Sequence, residues 1–326
     1  MKFNGFIFAL LLAIIFAWLF PSALNSFPLG WIIDIGIGLI FFFYGLKLAP
    51  ADLKLGFLNY RSHILIQLTT FIVFPLLTFL FIPLFEGGTT SDLWIAIFFL
   101  GVLPSTVSSS VVMVAIAKGN LPTAIFNASI SGLIGIMATP LWLSLFMLKT
   151  GEFSITAIIS KLLLQIVLPL ILGLLLQRFL GNFARANSKK LSLFDKSVIV
   201  LIVFSSFSTS FASNLFATID PLSLVKLSVI VVILFFAVYG LTGYVCKLLH
   251  FSLQDTITVK FAGTKKSLVH GSVMAKIIFG SSASLGLILL PIMLYHILQL
   301  LLVAIFAEGY RKQWLKEEYL KQGNSA

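Results

Sequence analysis

Two stretches decide the fold of this chain: GVLPSTVSSS at residues 101–110 and AGTKKSLVHGS at residues 262–272. Each interrupts an apolar run of about 20 residues or more, which is the length that crosses a bilayer. Hydrocarbon cannot solvate free backbone groups, so non-helical backbone at that depth is stable only inside protein or beside a water-filled cavity. We therefore expect both interruptions to be buried inside a membrane protein.

The overall composition is also that of a membrane protein. Hydrophobic residues make up 59% of the 326 residues, charged residues make up 10%, and the mean hydropathy is +1.09. Because soluble domains carry about 25% charged residues, these few charges cannot coat a soluble particle of this size. This excludes a soluble enzyme, a nucleic-acid-binding domain and a disordered protein, and it makes the lipid bilayer the principal partner.

Around the two interruptions, hydropathy predicts an all-α polytopic protein with ten membrane-spanning segments in a single membrane domain, 1–326. Turn signals such as Pro21, Pro28, Gly87-Gly88 and Pro221 mark the segment ends. The seventh segment is the shortest. The predicted segments are 5–24, 29–48, 63–84, 93–117, 121–148, 155–178, 196–213, 223–249, 254–279 and 284–308.

Basic residues predict the orientation, because Lys and Arg are enriched in short cytoplasmic loops. Fifteen fall at the termini and in loops on one side, and at most four fall on the other side. Both termini are therefore predicted to be cytoplasmic, in a cell membrane such as the bacterial inner membrane. The larger group is Lys2, Lys47, Lys54, Arg61, Lys118, Arg178, Arg185, Lys189, Lys190, Lys196, Lys247, Arg311, Lys312, Lys316 and Lys321, and the smaller is Lys149, Lys161, Lys226 and Lys276.

The order of the segments also indicates an internal repeat. The interrupted segments are the fourth of the first five and the fourth of the second five, about half the chain apart. Since five is odd, the second set must enter the membrane inverted. We predict a first repeat at 1–150, a second at 151–309 and a cytoplasmic tail at 310–326. Paired interrupted helices in inverted repeats indicate a transporter site near the midplane.

Three lysines, Lys260, Lys265 and Lys266, fall inside the ninth segment. A charged residue at mid-membrane costs about 2.5 kcal/mol or more, so it usually lines a cavity or has a partner. No acidic residue lies in either interruption. Lys265 and Lys266 therefore either attract an anion or donate hydrogen bonds to carbonyls of the crossing helix, whereas Lys260 also fits an interfacial position.

The candidate substrate-binding residues are the polar side chains of the two interruptions. His270 is either a proton relay or a hydrogen-bonded structural histidine, and Asn127 in the fifth segment can reach the first interruption. The chain has no Gly-rich nucleotide loop, paired carboxylates, Ser–His–Asp arrangement or clustered metal ligands, so an enzyme is not expected. The substrate-binding candidates are Ser105, Thr106, Ser108, Thr264, Lys265, Lys266 and Ser267.

Specific strings resemble the bile acid:sodium symporter superfamily. LPSTVSSSVVM at residues 103–113 and AIFN at residues 124–127 resemble its signature, as do Gly119-Asn120 and Thr139-Pro140. FAGTKKSL at residues 261–268 resembles its SBF-like branch. Met274, Lys276, Leu290-Pro291, His296 and Gln299 fit that branch too. The branch includes bacterial proteins classed as sodium-dependent transporters and a eukaryotic member implicated in calcium regulation.

The resemblance implies two inverted five-helix repeats, in which helices 1, 2, 6 and 7 form a panel domain and the others a core. It also implies that the broken fourth and ninth helices cross, so we predict that the stretches near 104–110 and 263–271 meet at mid-membrane. It also implies alternating access and sodium-coupled uptake of an organic anion, with no cofactor other than sodium. Proton coupling and facilitated movement stay open, as do the substrate and the oligomeric state. The alternative is a non-transporting regulatory membrane protein of the same fold, for example in calcium homeostasis.

The resemblance carries the ion site over only in part. The family's Ser-Asn pair is Ser109-Ser110 here, and its helix-three glutamine maps to Thr70, with Gln67 one turn away. Asn127 is the candidate to replace the family's helix-five hydroxyls, which are absent here. The family's sodium-binding Glu falls near His270 or Gly271, so no carboxylate offsets the charge of the ion. The ion-binding candidates are Thr70, Ser109, Ser110, Asn127, His270 and Gly271.

Overall fold

The computed structural model describes residues 5–22, 27–48, 58–106, 108–147, 155–280, 282 and 284–323. Within these ranges the regular structure is helical and includes no strand, in agreement with the all-α prediction. The helices of the first half are α1 Gly5–Leu19, α2 Leu29–Lys47, α3 Tyr60–Leu84, α4 Asp92–Val102, α5 Ser108–Ile116 and α6 Leu121–Met147.

The second half continues with α7, which joins Ile155–Leu162, a π-helical turn Leu163–Val167 and Leu168–Ala186. A second π-helical turn, Thr69–Val73, lies inside α3 and is followed by Pro75. The remaining helices are α8 Ser188–Ala212, α9 Pro221–Leu248, α10 Leu253–Thr264, α11 Leu268–Phe279 and α12 Leu285–Gly323.

Seven of the described helices are long and apolar enough to cross a bilayer: α2, α3, α6, α7, α8, α9 and α12. Each of them matches a predicted segment. The other predicted segments correspond to α1, which has 15 residues, and to the helix pairs α4–α5 and α10–α11. An all-helical membrane protein is therefore confirmed, whereas the number of ten crossings stays a prediction.

Both predicted interruptions are real breaks in the helices. The first break, residues 103–106, follows α4, because Pro104 disfavours helical backbone at Leu103 and Leu103 is extended. The second break, residues 265–267, separates α10 from α11. Ser267 then starts α11, since its hydroxyl accepts a hydrogen bond from the backbone N–H of His270 at 3.2 Å.

Three helix ends differ most from the predicted boundaries. α7 continues to Ala186, past the predicted end at residue 178. α8 begins at Ser188, so Lys189 and Lys196 lie on a helix and not in the predicted loop. α12 continues past Tyr310 to Gly323. Lys, Gln, Glu and Leu are good helix formers, so charge alone was a poor guide to where these helices begin and end.

The helices α1, α2, α7 and α8 pack side by side, and α8 also contacts α11 and α12. α2 and α7 approach most closely at Gly45 and Gly173, where an added Cβ would overlap backbone carbonyls of the facing helix. Small residues permit this close approach between membrane helices. The arrangement leaves a space between α2 and α8 on one side and the two helix breaks on the other.

Candidate functional site at the two helix breaks

The two helix breaks contact each other directly, as the sequence predicted. The backbone N–H of Ser267 donates to the carbonyl oxygen of Pro104 at 3.0 Å. The hydroxyl of Ser105 donates to the carbonyl oxygen of Ala262 at 2.6 Å. These bonds therefore join the first break to the second break and to the last turn of α10, and they satisfy backbone groups that the interrupted helices leave free.

Side chains of α6 satisfy the first break. The hydroxyl of Ser131 accepts from the backbone N–H of Ser105 at 2.9 Å. The hydroxyl of Thr139 donates to the carbonyl oxygen of Val102 at 2.8 Å. All of these groups are buried, so the bonds avoid the cost of unpaired polar groups in an apolar interior.

Side chains of α12 satisfy the second break. The phenol of Tyr295 donates to the carbonyl oxygen of Thr264 at 2.5 Å. Gln299 accepts from the backbone N–H of Lys266 at 2.9 Å and donates to its carbonyl oxygen at 2.8 Å. No site role was predicted for Ser131, Thr139, Tyr295 or Gln299. Thr139 and Gln299 carried part of the family resemblance, whereas Ser131 and Tyr295 showed only a polar group inside an apolar segment.

Lys265 and Lys266 are fully buried and donate to backbone carbonyls of the first half of the chain. Lys265 Nζ donates to the carbonyl oxygen of Ser109 at 2.7 Å. Lys266 Nζ donates to three carbonyl oxygens, those of Thr70, Gly101 and Leu103. Two alternatives were predicted for these lysines, attraction of an anion and hydrogen bonds to backbone carbonyls. The structure contains the hydrogen bonds, to carbonyls of the crossing helix and of α3. Attraction of an anion stays a prediction.

A cavity of about 930 Å³ lies between the breaks and the helices α2 and α8. Three of the predicted site residues, Thr106, Ser267 and His270, line it. Its other lining residues are Ile40, Phe41, Tyr44, Lys47, Leu48, Val112, Ile125, Ser129, Ser188, Lys189, Ser192, Leu193, Asp195, Lys196 and Val269. The charged lining residues are Lys47, Lys189, Lys196 and Asp195. Nζ of Lys47 lies 3.5 Å from a carboxylate oxygen of Asp195, so the two form an ion pair.

His270 connects the second break to the cavity wall. Its Nδ1 lies 2.9 Å from the hydroxyl of Ser267. Its ring packs in T-shaped geometry against those of Phe41 and Tyr44, with centroids 5.5 and 6.3 Å away. Gly132 leaves room for the ring, since a Cβ there would lie 2.9 Å from Nε2. The ring position is therefore set by α2, α6 and Ser267 together.

Several predicted site residues bond away from the cavity. The Thr70 hydroxyl donates to the carbonyl oxygen of Ile66, and that of Thr264 to the carbonyl oxygen of Lys260. Asn127 accepts from Gln67 at 3.0 Å, and its Nδ2 lies 2.6 Å from Nδ1 of His63. These side chains do not gather around one point.

The remaining candidates lie near the breaks. Ser109 donates to Thr106 at 3.4 Å, and the buried hydroxyl of Ser110 has no hydrogen-bond partner in the described structure. Gly271 is buried where a Cβ would lie 2.7 Å from Leu103. The side chain of Ser108 lies outside the described part of the chain. Among the described residues, no group of three or more His, Cys, Asp or Glu is arranged to hold a metal ion.

Comparison with known proteins gives consistent similarities over most of the chain. Residues 4–312 match the SBF-like CPA transporter family. The chain is 35% identical over 312 residues to an uncharacterized protein of Pseudomonas aeruginosa, covering 95% of this chain and 93% of that one.

Two named relatives are similar over nearly the same length. The Escherichia coli protein named "Putative symporter YfeH" is 31% identical over 311 residues, covering 95% of this chain and 93% of its own. Sodium/bile acid cotransporter 7 of Mus musculus is 30% identical over 292 residues, covering 86% of this chain and 83% of its own.

Proposed function

Since the chain belongs to the SBF-like CPA transporter family, we propose that it is a secondary transporter that carries an organic anion by alternating access. The observation that carries the proposal is the cavity of about 930 Å³ between α2, α8 and the crossing helix breaks. It has the size of sites that enclose small molecules, which are about 300–1,000 Å³.

The cavity wall suits an anion with an apolar body. Ile40 and Phe41 offer apolar surface, whereas Lys47, Lys189 and Lys196 outnumber the single Asp195. Hydroxyls of Thr106 and Ser267 lie on the side of the breaks. An amphipathic carboxylate or sulfonate fits this combination, because its charge would lie near the lysines and its body along α2.

The proposed architecture has ten membrane crossings in two inverted five-helix repeats. The pairs α4–α5 and α10–α11 would be the broken fourth and ninth helices. α1, α2, α7 and α8 would form the panel, and the other helices the core, so the cavity lies between them. With both termini cytoplasmic, Lys47 and Lys189 would lie at the cytoplasmic side, and this conformation would open inward.

We expect sodium to bind weakly, because the predicted ion ligands do not converge and none of them is a carboxylate. A screen can test the anion and the ion together. Purified full-length protein is heated with carboxylates and sulfonates of increasing apolar size, in sodium chloride and in choline chloride. An anion that raises the melting temperature equally in both salts is then tested for uptake into proteoliposomes.

Two neighbouring lysines give a matched pair of variants. Lys189 lines the cavity, whereas Lys190 is exposed and is not among the lining residues. Lys189→Gln should weaken binding and uptake of the anion, and Lys190→Gln should leave both unchanged. Binding without any uptake would contradict a transporter, and equal effects of the two variants would contradict this cavity as the site.

A further inference from the structure

Three backbone carbonyl oxygens converge on the ammonium group of Lys266. Those of Gly101 and Leu103 lie 2.7 and 2.8 Å from Nζ, and that of Thr70 lies 2.9 Å away. The ring of Phe74 covers a further side, with its centroid 4.1 Å from Nζ. We call the three oxygens the carbonyl cage. Lys266 is 1% exposed, so water contributes little to this environment.

The carbonyl oxygen of Thr70 is free because of the π-helical turn in α3. The backbone N–H of Phe74 donates to Thr69, five residues back. The same pattern would pair the carbonyl of Thr70 with residue 75, but that residue is Pro75, which has no N–H. The carbonyl oxygen of Thr70 is therefore available to a group outside its helix.

The carbonyl oxygen of Gly101 is free because of the first break. In a continuous helix the carbonyl of Gly101 would accept from the N–H of Ser105. That N–H donates to the hydroxyl of Ser131 instead. The sequence thus leaves carbonyls of two separate helices pointing at one buried position, and this position requires a positively charged or donating group.

Convergent backbone carbonyls are the means by which proteins hold small monovalent cations, because the oxygens replace the hydration shell. An ammonium group has three N–H donors, and Lys266 matches each of them to one cage oxygen. Among the contacts described for Nζ there is no carboxylate. The site therefore has the chemistry of a cation site built from neutral oxygens, with the cation supplied by the chain.

We propose that the ammonium group of Lys266 occupies a monovalent-cation site, where it takes the place of a free ion at the crossing of the two helix breaks. The backbone of Lys266 belongs to the second break, and two cage oxygens belong to α4 and the first break. The tethered charge therefore joins the two halves of the chain. Assembly of the crossing needs no added cation, whatever substrate the protein carries.

The test is to remove the tethered cation and offer free ones. Lys266→Ala deletes the side chain and leaves the cage empty, whereas Lys266→Met fills much of the same space without charge. Melting temperatures of the purified full chain are measured in chloride salts of sodium, potassium, methylammonium and choline. Choline is too large for the cage and sets the baseline. Lys265→Ala is the control, because Lys265 has only one described carbonyl partner.

We expect Lys266→Ala to melt well below the wild-type protein in choline and to recover, with a saturating dose dependence, in at least one small cation. The wild-type protein, Lys266→Met and Lys265→Ala should show no such cation-specific recovery. Because the readout uses inorganic cations and methylammonium alone, it does not depend on any transported anion.

Three outcomes would overturn the proposal. One is that Lys266→Ala responds to all four salts as Lys266→Met does. Another is that the wild-type protein shows the same shift, which would mean that the cation binds elsewhere. The third is that Lys266→Ala cannot be recovered folded in any small cation, because then packing of the stem, and not the charge, holds the crossing.

Discussion

The side-chain amide of Gln299 hydrogen-bonds both backbone groups of Lys266, accepting from its N–H at 2.9 Å and donating to its C=O at 2.8 Å. Gln299 itself has no exposed surface. One side chain of α12 thus replaces the helical partners that the second break removes from this residue. The direction in which the Lys266 side chain leaves the break depends on this pair of bonds.

We expect Gln299→Leu to lower the melting temperature markedly. Leucine keeps most of the volume, but it leaves a buried backbone N–H and C=O of Lys266 without partners. Each lost partner costs about 1–3 kcal/mol. Leu301→Met on the same helix is the control, since Leu301 is 42% exposed and makes no such bond. Equal melting temperatures of wild type and Gln299→Leu would contradict the structural role of the amide.

A second prediction concerns the close contact between α6 and Pro104 in the first break. A Cβ at Gly135 would lie 2.8 Å from the ring of Pro104, which is buried and cannot move aside easily. Gly135→Ala should therefore destabilise the protein, although alanine in a helix is otherwise favoured over glycine by about 0.8–1 kcal/mol. Thermal unfolding in detergent measures the effect.

Gly240 on α9 is the matched control for this substitution. Apart from the adjoining backbone of its own helix, no atom lies within 4 Å of an added Cβ there, so Gly240→Ala should keep or raise the melting temperature. A stability of Gly135→Ala equal to that of Gly240→Ala would show that Pro104 does not pack closely against α6.

The third prediction is that both termini face the cytoplasm. It follows from the fifteen basic residues assigned to one side against four on the other. Tags at each end should resist protease and impermeant dye added outside intact cells, and they should react after the membrane is permeabilised. Labelling of the C-terminal tag in intact cells would refute the predicted orientation.

The sequence was sufficient to locate both helix breaks, because a proline and runs of polar residues cannot continue a helix in hydrocarbon at no cost. It also predicted that the breaks meet. It could not predict where the amine of Lys266 ends, since that depends on carbonyls of α3 and α4 that become free through Pro75 and Ser131. These carbonyls belong to separate helices, and only the three-dimensional packing of those helices brings them to the amine.

The same limitation explains the predictions for Asn127 and the loop lysines. Asn127 was expected near the first break, but the packing of α6 against α3 brings its amide to Gln67 and His63. Lys189 and Lys196 were assigned to a loop, yet the early start of α8 brings them to the cavity. The hydrophobic pattern predicts the helices, whereas the packing of the helices decides which polar groups share a site.

The last prediction separates the two buried lysines of the second break. Lys265 extends its ammonium group to the carbonyl oxygen of Ser109 at 2.7 Å, in the first turn of α5. This is one carbonyl against three for Lys266, so the charge of Lys265 is less completely compensated and can favour an anion near the breaks.

Lys265→Met should reduce the affinity for an anion found in the screen about tenfold, or ~1.4 kcal/mol. Lys190→Met on the exposed face of α8 should not change that affinity. Thermal-shift titrations of both variants give the dissociation constants, and a neutral analogue of the anion should bind wild type and Lys265→Met equally. An unchanged affinity of Lys265→Met for the anion would mean that this lysine serves only to join the second break to α5.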